Sequence, residues 1–288
     1  MRVANKTIFE SIKYNLGGIS EELNKANEIA TTGKRINNLS DDPVGLTQSL
    51  SIRSNLSNIE QMQRNINYGN SWLSASESAL TNVEDILSDT KALCVQMANA
   101  TTGAEQRSAA AETVQNMLEE IVSLANTDVA GTYIFSGSKT DIMPFEQDGT
   151  YNGDSNAFSI KISKNTTVEI GSNGQAVFGT VFNTLMDLKA ALQSNDVSGI
   201  QDAISRLDPH FNDIASKISD VGSKMDRMEI KNNIFQDLNL SDTERLSKIE
   251  DADIAEAIMN VSAAQLTYQA ALASSSKVMS LSLVDYLQ

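Results

Sequence analysis

The chain carries an apolar stripe at each end, and neither stripe has a second one beside it in the sequence to pack against. Near the start, Ile8, Ile12, Leu16, Ile19, Leu23, Ala26 and Ala30 recur at spacings of three and four. Near the finish, Ile254, Ile258, Val261, Tyr268, Leu272 and Met279 keep to one helical face in the same way. A helix with a single apolar stripe needs another stripe to cover it. The nearest supply is the opposite end of the chain, and after that a neighbouring molecule. A sequence built this way points to a subunit of an assembly, with these two stripes as its interfaces, and not to an enzyme.

Composition favours long helices between those ends. There are 3 prolines in 288 residues and only 5% aromatics, and an interior proline costs a helix about 3 kcal/mol. The net charge of −15 argues against a nucleic-acid partner, which requires a basic face to displace counterions. The one cysteine, Cys94, lies among Ala92, Leu93, Val95 and Met97 and reads as a small buried residue. No cleavable leader is visible, because residues 1–19 lack a continuous apolar run and carry Glu10 and Lys13. No window reaches the length of a membrane span. The nearest, Ala257 to Ser276, has no charge but holds Asn260, Ser262, Gln265, Thr267 and Gln269. It reads as a surface that meets protein, so no membrane partner is expected.

Punctuation along the chain divides it. A first helix is expected from Val3 to Thr31, stopped at Thr32-Gly33. Ser40-Asp41-Asp42-Pro43 starts a second, with a side-chain oxygen at the cap and proline at the first helical position. That helix should pause at Tyr68-Gly69-Asn70 and resume to Met97, a rod of roughly 80 Å if nearly continuous. A third follows over Ala104 to Asn126. From Gly131 to Gly179 the glycines, aromatics and alternation of Phe158, Ile160 and Ile162 predict a small β-rich insertion, with turns at Asn152-Gly153 and Ser172-Asn173-Gly174. Helix returns at Val181. Asp208-Pro209 reads as a second helix start, Asn239 to Asp242 as a short break, and the last helix runs from Thr243. The fold class is therefore mostly α with a β insertion. The expected layout is a long antiparallel helical rod with paired terminal helices. Its parts are a terminal core (1–40 and 250–288), a rod (41–130 and 181–249) and a β-rich surface domain (131–180).

No catalytic set emerges, and neither a cofactor nor a metal site is expected. The single histidine, His210, follows a helix start and reads as a surface residue. One Cys and one His do not make a metal centre. Asp148, Asn152 and Asp154 lack the spacing and terminal bidentate Glu of a calcium loop, so turn chemistry is the expectation. Thr32-Gly33-Lys34 has no preceding glycine at phosphate-loop spacing.

Two segments do resemble a known family. They are Ala30-Thr31-Thr32-Gly33-Lys34-Arg35-Ile36-Asn37 with Ser40-Asp41-Asp42-Pro43-Val44-Gly45, and Ile249-Glu250-Asp251-Ala252-Asp253-Ile254 leading into Gln265, Tyr268, Gln269, Ala270 and Ala271. These resemble the bacterial flagellin superfamily. Asp42-Pro43-Val44-Gly45 and Gly131-Thr132-Tyr133-Ile134-Phe135-Ser136-Gly137 resemble its hook–filament junction branch more than its filament subunits. Leu39 departs from the proline that many relatives carry there. The resemblance implies a structural adapter exported through the flagellar type III apparatus without a cleavable signal peptide, and located outside the cell. Its implied partners are a ring of identical subunits, the preceding hook-associated protein, flagellin, and a cytoplasmic export chaperone for the bare C-terminal helix. The assembly interfaces would be Ile8, Ile12, Leu16, Ile19 and Leu23 at one end and Ile254, Ile258, Val261, Tyr268, Leu272 and Met279 at the other. Gly33, Lys34, Arg35, Asp41, Asp42 and Pro43 would form the family loop and helix start. A filament subunit, or an intracellular coiled-coil scaffold, is the alternative.

Overall fold

The computed structural model describes the backbone of residues 2–287 and the side chains of residues 6, 7 and 9–278. Helix α1 (Arg2–Thr32) ends where Gly33 adopts φ +69, a left-handed conformation that glycine reaches without steric cost. The loop that follows is shaped by two adjacent aspartates. Asp41 Oδ2 accepts from the amides of Asn37 (3.2 Å) and Asn38 (2.9 Å), and its Oδ1 meets Lys25 Nζ at 2.8 Å. Asp42 Oδ1 caps the next helix through the Gly45 amide at 2.8 Å, with Pro43 at its first position.

Helix α2 (Pro43–Met97) is continuous. Gly45, Ile52, Ile59, Ile66, Leu73, Leu80, Leu87 and Cys94, each seven residues from the next, are all buried. The expected pause at Tyr68-Gly69-Asn70 does not occur. Gly69 is buried inside the helix because Ile160 Cδ1 and the end of Met228 stand 2.4 Å and 2.9 Å from where its Cβ would be. Its glycine serves close approach, and the helix accepts the propensity cost of about 1 kcal/mol.

Helix α3 (Ala104–Ala125) packs on α4 (Gly174–Gln193). In the chain between them come two antiparallel hairpins among the described residues. One is β1 (Asp128–Val129) with β2 (Thr132–Tyr133), and the other is β3 (Ser159–Ser163) with β4 (Thr166–Glu169). Ile160 and Ile162 point inward and the residues flanking them outward, as their alternation predicts. Edge-to-face contacts join Phe135 to Phe178 and Phe145 to Phe182, at ring separations of 4.9 and 5.0 Å. Helix sets in at Gly174 rather than Val181. Asn173, expected in a turn, instead caps α4 by accepting from the Gln175 amide at 3.0 Å.

Helix α5 (Val197–Glu250) overrides two expected boundaries. Pro209 sits inside it, and residues 239–242 continue it. Ile200, Leu207, Ile214, Val221, Met228 and Phe235 are buried at seven-residue intervals through and beyond Pro209. Burying such side chains stabilises the helix by roughly 1.5–3 kcal/mol each, which outweighs one lost backbone bond. His210 accordingly lies within a helix, half-buried, with Nε2 2.9 Å from Thr184 Oγ1. Burial first, with the Arg206 charge adding and the Asp213 charge opposing, holds its pKa below the ordinary value. The true break lies at 251–253. There Asp253 Oδ1 caps α6 (Ile254–Leu287) through the amides of Ala255 (2.8 Å) and Glu256 (3.2 Å).

The chain divides into two compact units, Met1–Asn58 with Asp237–Gln288, and Ile59–Gln236. The second holds the large core, including Trp72 against Phe158, and the buried Cys94, whose thiol burial pushes up to about 11.

Candidate assembly interface

Within the first unit α1 and α6 pack along each other. Gly33 lies beside Ile254, and a groove between the helices is lined by Ile19, Ala26 and Ile29 on one side and Asn260, Ala264 and Thr267 on the other. Residue numbers rise along one helix as they fall along the other, so the pair is antiparallel. On α1 the half-buried stripe is Ile12, Leu16, Ile19, Leu23, Ala26 and Ala30, the stripe the sequence predicts. On α6 it is buried Ala257 followed by half-buried Val261, Ala264, Tyr268, Ala271 and Ser275. Both repeat at four and three, the spacing of a coiled-coil seam.

Of the C-terminal stripe read from sequence, Val261 and Tyr268 join this seam. Ile254 closes its end over Gly33 yet stays 47% exposed, while Ile258 (57%) and Leu272 (43%) lie off it. The side chains of Ile8 and Met279 lie outside the described residues. Sequence reading missed the seam alanines, Ala257, Ala264 and Ala271. Their strict seven-residue spacing was the available signal. Small side chains there let the aliphatic residues of α1 sit close to the α6 backbone.

A second stripe runs along the side of α6 away from α1. Met259, Leu266, Ala270 and Ala273 are all exposed, Met259 at 64% and Leu266 at 68%. No Asp, Glu, Lys or Arg lies between Glu256 and Lys277. Among the described residues nothing in the chain covers this face. It is an exposed aliphatic row without a charged side chain.

The predicted loop residues gather where the two chain breaks meet. Lys34 and Asp251 form an isolated antiparallel bridge, with Arg35 N donating to Glu250 O at 2.6 Å and Ala252 N to Gly33 O at 2.9 Å. Arg35 Nη2 donates to Ile249 O at 2.9 Å and meets Asp42 at 3.5 Å. The Glu250 carboxylate is buried at this junction. Its Oε1 accepts from Arg53 Nε at 2.8 Å, and its Oε2 accepts from Arg53 Nη2 and from Lys34 Nζ, the latter at 3.0 Å. Hydrogen bonds from Arg53 first, with those from Lys34 adding and burial opposing, lower its pKa to about 2. Sequence reading did not pick out Glu250 or Arg53 for this role. They are 197 residues apart, and no local pattern links them.

Elsewhere the aspartates expected in turns do turn chemistry. Asp148 Oδ1 accepts from Thr150 N at 2.9 Å, and Asp154 Oδ1 from Ser138 N at 2.7 Å. Among the described residues no three His, Cys, Asp or Glu side chains stand within reach of one metal ion, and no helix is long and apolar enough to cross a membrane.

An antiparallel terminal helix pair, with a helical and β segment between its halves in the chain, is the class of fold these elements define. The N-terminal helical region of bacterial flagellin matches residues 4–140, and its C-terminal helical region matches residues 204–287. The chain belongs to the flagellin superfamily. Within it, the chain is 24% identical to flagellar hook-associated protein 3 of Escherichia coli, over 94% of this chain and 96% of that one. A flagellin of Halalkalibacterium halodurans is 27% identical over 90% of this chain and 89% of its own. Among solved structures, Bacillus cereus FlgL is similar at a TM-score of 0.63 and 29% identity, covering 68% of this chain and 99% of its own.

Proposed function

We propose that this protein is a structural adapter that joins the hook-associated region of the bacterial flagellum to the flagellin filament. It acts by assembly, as a ring of copies, and not by catalysis. The observation that carries this is the half-used terminal helix. Helix α6 spends one stripe on α1 of its own chain and leaves Met259, Leu266 and their neighbours for another subunit. Similarity to the solved Bacillus cereus FlgL at 29% identity, beside near full-length similarity to a hook-associated protein, supports the junction role.

In this reading residues 1–40 and 250–288 form the assembly core, 41–130 and 181–249 the helical middle, and 131–180 a surface domain. Ile12, Leu16, Ile19, Leu23, Val261 and Tyr268 hold the α1–α6 pair together within the chain, and exposed Ile258, Met259, Leu266 and Leu272 are the residues offered to a neighbouring subunit. The preceding hook-associated protein meets one side of the ring and flagellin the other. A cytoplasmic chaperone shields α6 before export.

Two measurements test this. Purified protein incubated alone should give no long filaments by electron microscopy, and long filaments would make it a filament subunit. Ile258→Asp places a charge on an exposed site away from the α1 seam. The variant should fold with normal helicity yet fail to enter flagella, and normal incorporation would refute the interface.

A further inference from the structure

We propose that Glu250 is a positioning residue for assembly. On this proposal it locks the terminal helix pair to the start of α2, so that α1 and α6 leave the junction in one fixed direction. The inference rests on the reading that this pair is the assembly element.

The seam explains why α1 and α6 stay together but not why the pair holds a direction. Both helices join the rest of their unit through short non-helical connections, residues 33–42 and 251–253, and these lie side by side. Two adjacent connections make a double hinge unless something spans them. The backbone bridge at Lys34 and Asp251 ties one connection to the other, yet reaches nothing in α2. The Glu250 carboxylate does. It sits on the last residue of α5, and its oxygens bond Arg53, three turns into α2, and Lys34, in the loop after α1. One buried anion thereby fixes three chain segments to a common point.

The geometry is also directional. Arg53 presents its guanidinium edge to both carboxylate oxygens, a fork that sets orientation as well as distance. The other ion pairs at the junction, Lys25 to Asp41 and Arg35 to Asp42, run between α1 or its loop and the residues just before α2. Buried Ile36 packs on Gly45 in the first turn of α2, an apolar contact without the orientation of the carboxylate fork.

The test uses the full chain with Cys94→Ser and spin labels on exposed sites of one unit. Labels at Glu21→Cys and Gln48→Cys report the direction of α1 against the start of α2. Labels at Glu28→Cys and Gln265→Cys report the seam. With Glu250 intact, pulsed EPR should give one narrow distance for each pair. Glu250→Gln should broaden the first distribution at least twofold and leave the second narrow. The exchanged pair Glu250→Arg with Arg53→Glu should narrow the first again, a rescue that a purely packing role would not produce. Incorporation of unlabelled Glu250→Gln into flagella should fall about tenfold.

A first distribution that stays narrow in Glu250→Gln overturns the lock. Broadening with undiminished incorporation overturns its role in assembly while leaving the adapter reading intact. Should the unaltered protein itself form long filaments alone, the adapter reading fails, while the distances still decide the lock.

Discussion

Arg107 offers the sharpest test of how the second unit is held together. Its side chain is only 4% exposed, yet among the described residues no carboxylate pairs with it. The guanidinium instead donates to Met97 O at 2.9 Å, Asn99 O at 3.0 Å and Asn195 Oδ1 at 2.5 Å. It thus caps the carbonyl end of α2 and pins the turn after α4, where Asn195 holds φ +57. In Arg107→Met the stem is kept and these bonds are lost. Asn99 and Asn195 are exposed, so water replaces two of the three. The Met97 carbonyl is not so placed, and orphaning it costs about 1–3 kcal/mol. Losing a cation at the helix C-terminus adds about 0.3–1 kcal/mol. Removing the guanidinium's own desolvation cost offsets part of this, leaving about 2–3 kcal/mol. For a unit of this size that lowers the melting temperature by roughly 5–10 °C. Trp72, the single tryptophan, is fully buried in the same unit, so its fluorescence follows unfolding by heat or urea. Arg107→Lys, able to reach about one carbonyl, should lose about half as much. An Arg107→Met midpoint equal to that of the unaltered protein would show that the buried guanidinium contributes nothing.

Three further outcomes follow from the same geometry. Glu250 is held at about 2, below its ordinary 4.5, so its contribution is complete above pH 4.5 and is lost as pH falls towards 2. The loss is at most about 3 kcal/mol. Urea unfolding read by far-UV circular dichroism should show stability falling across that window, and Glu250→Gln should flatten the fall while lowering stability at neutral pH. Gly69→Ala crowds Ile160 and Met228, and despite better helix propensity it should destabilise the second unit by about 1 kcal/mol; a gain in Trp72-monitored stability would contradict the close-approach reading. Gly17→Ala and Gly18→Ala meet nothing within 4 Å in their own chain and should each strengthen α1 by about 0.5–1 kcal/mol, seen as slower amide exchange there.

Much of this architecture is written in short-range chemistry. Gly33 ends α1, Asp42-Pro43 starts α2, and the alternation around Ile160 and Ile162 marks a strand, because caps, φ limits and periodicity act within a few residues. Gly69 and Pro209 misled for one shared reason. Each is a local breaking signal inside a helix whose buried heptads outweigh the local cost, whereas residues 239–242 lie beyond the last of those heptads at Phe235 and still continue the helix. Asn173 misled differently, since the same side chain serves a turn or a helix cap and only the following α4 decides which.

The sequence by itself determined that two terminal helices exist, that each carries an apolar face, and that the last is uncharged over some twenty residues. Those properties are periodic and need no partner to be read. Only the tertiary structure decided which α6 stripe α1 takes, leaving Ile258 and Leu272 off the seam and Met259 and Leu266 bare. It alone brought Glu250 to Arg53 and Lys34. Register between helices and the meeting of distant charges depend on packing across the whole unit, which no local window of sequence contains.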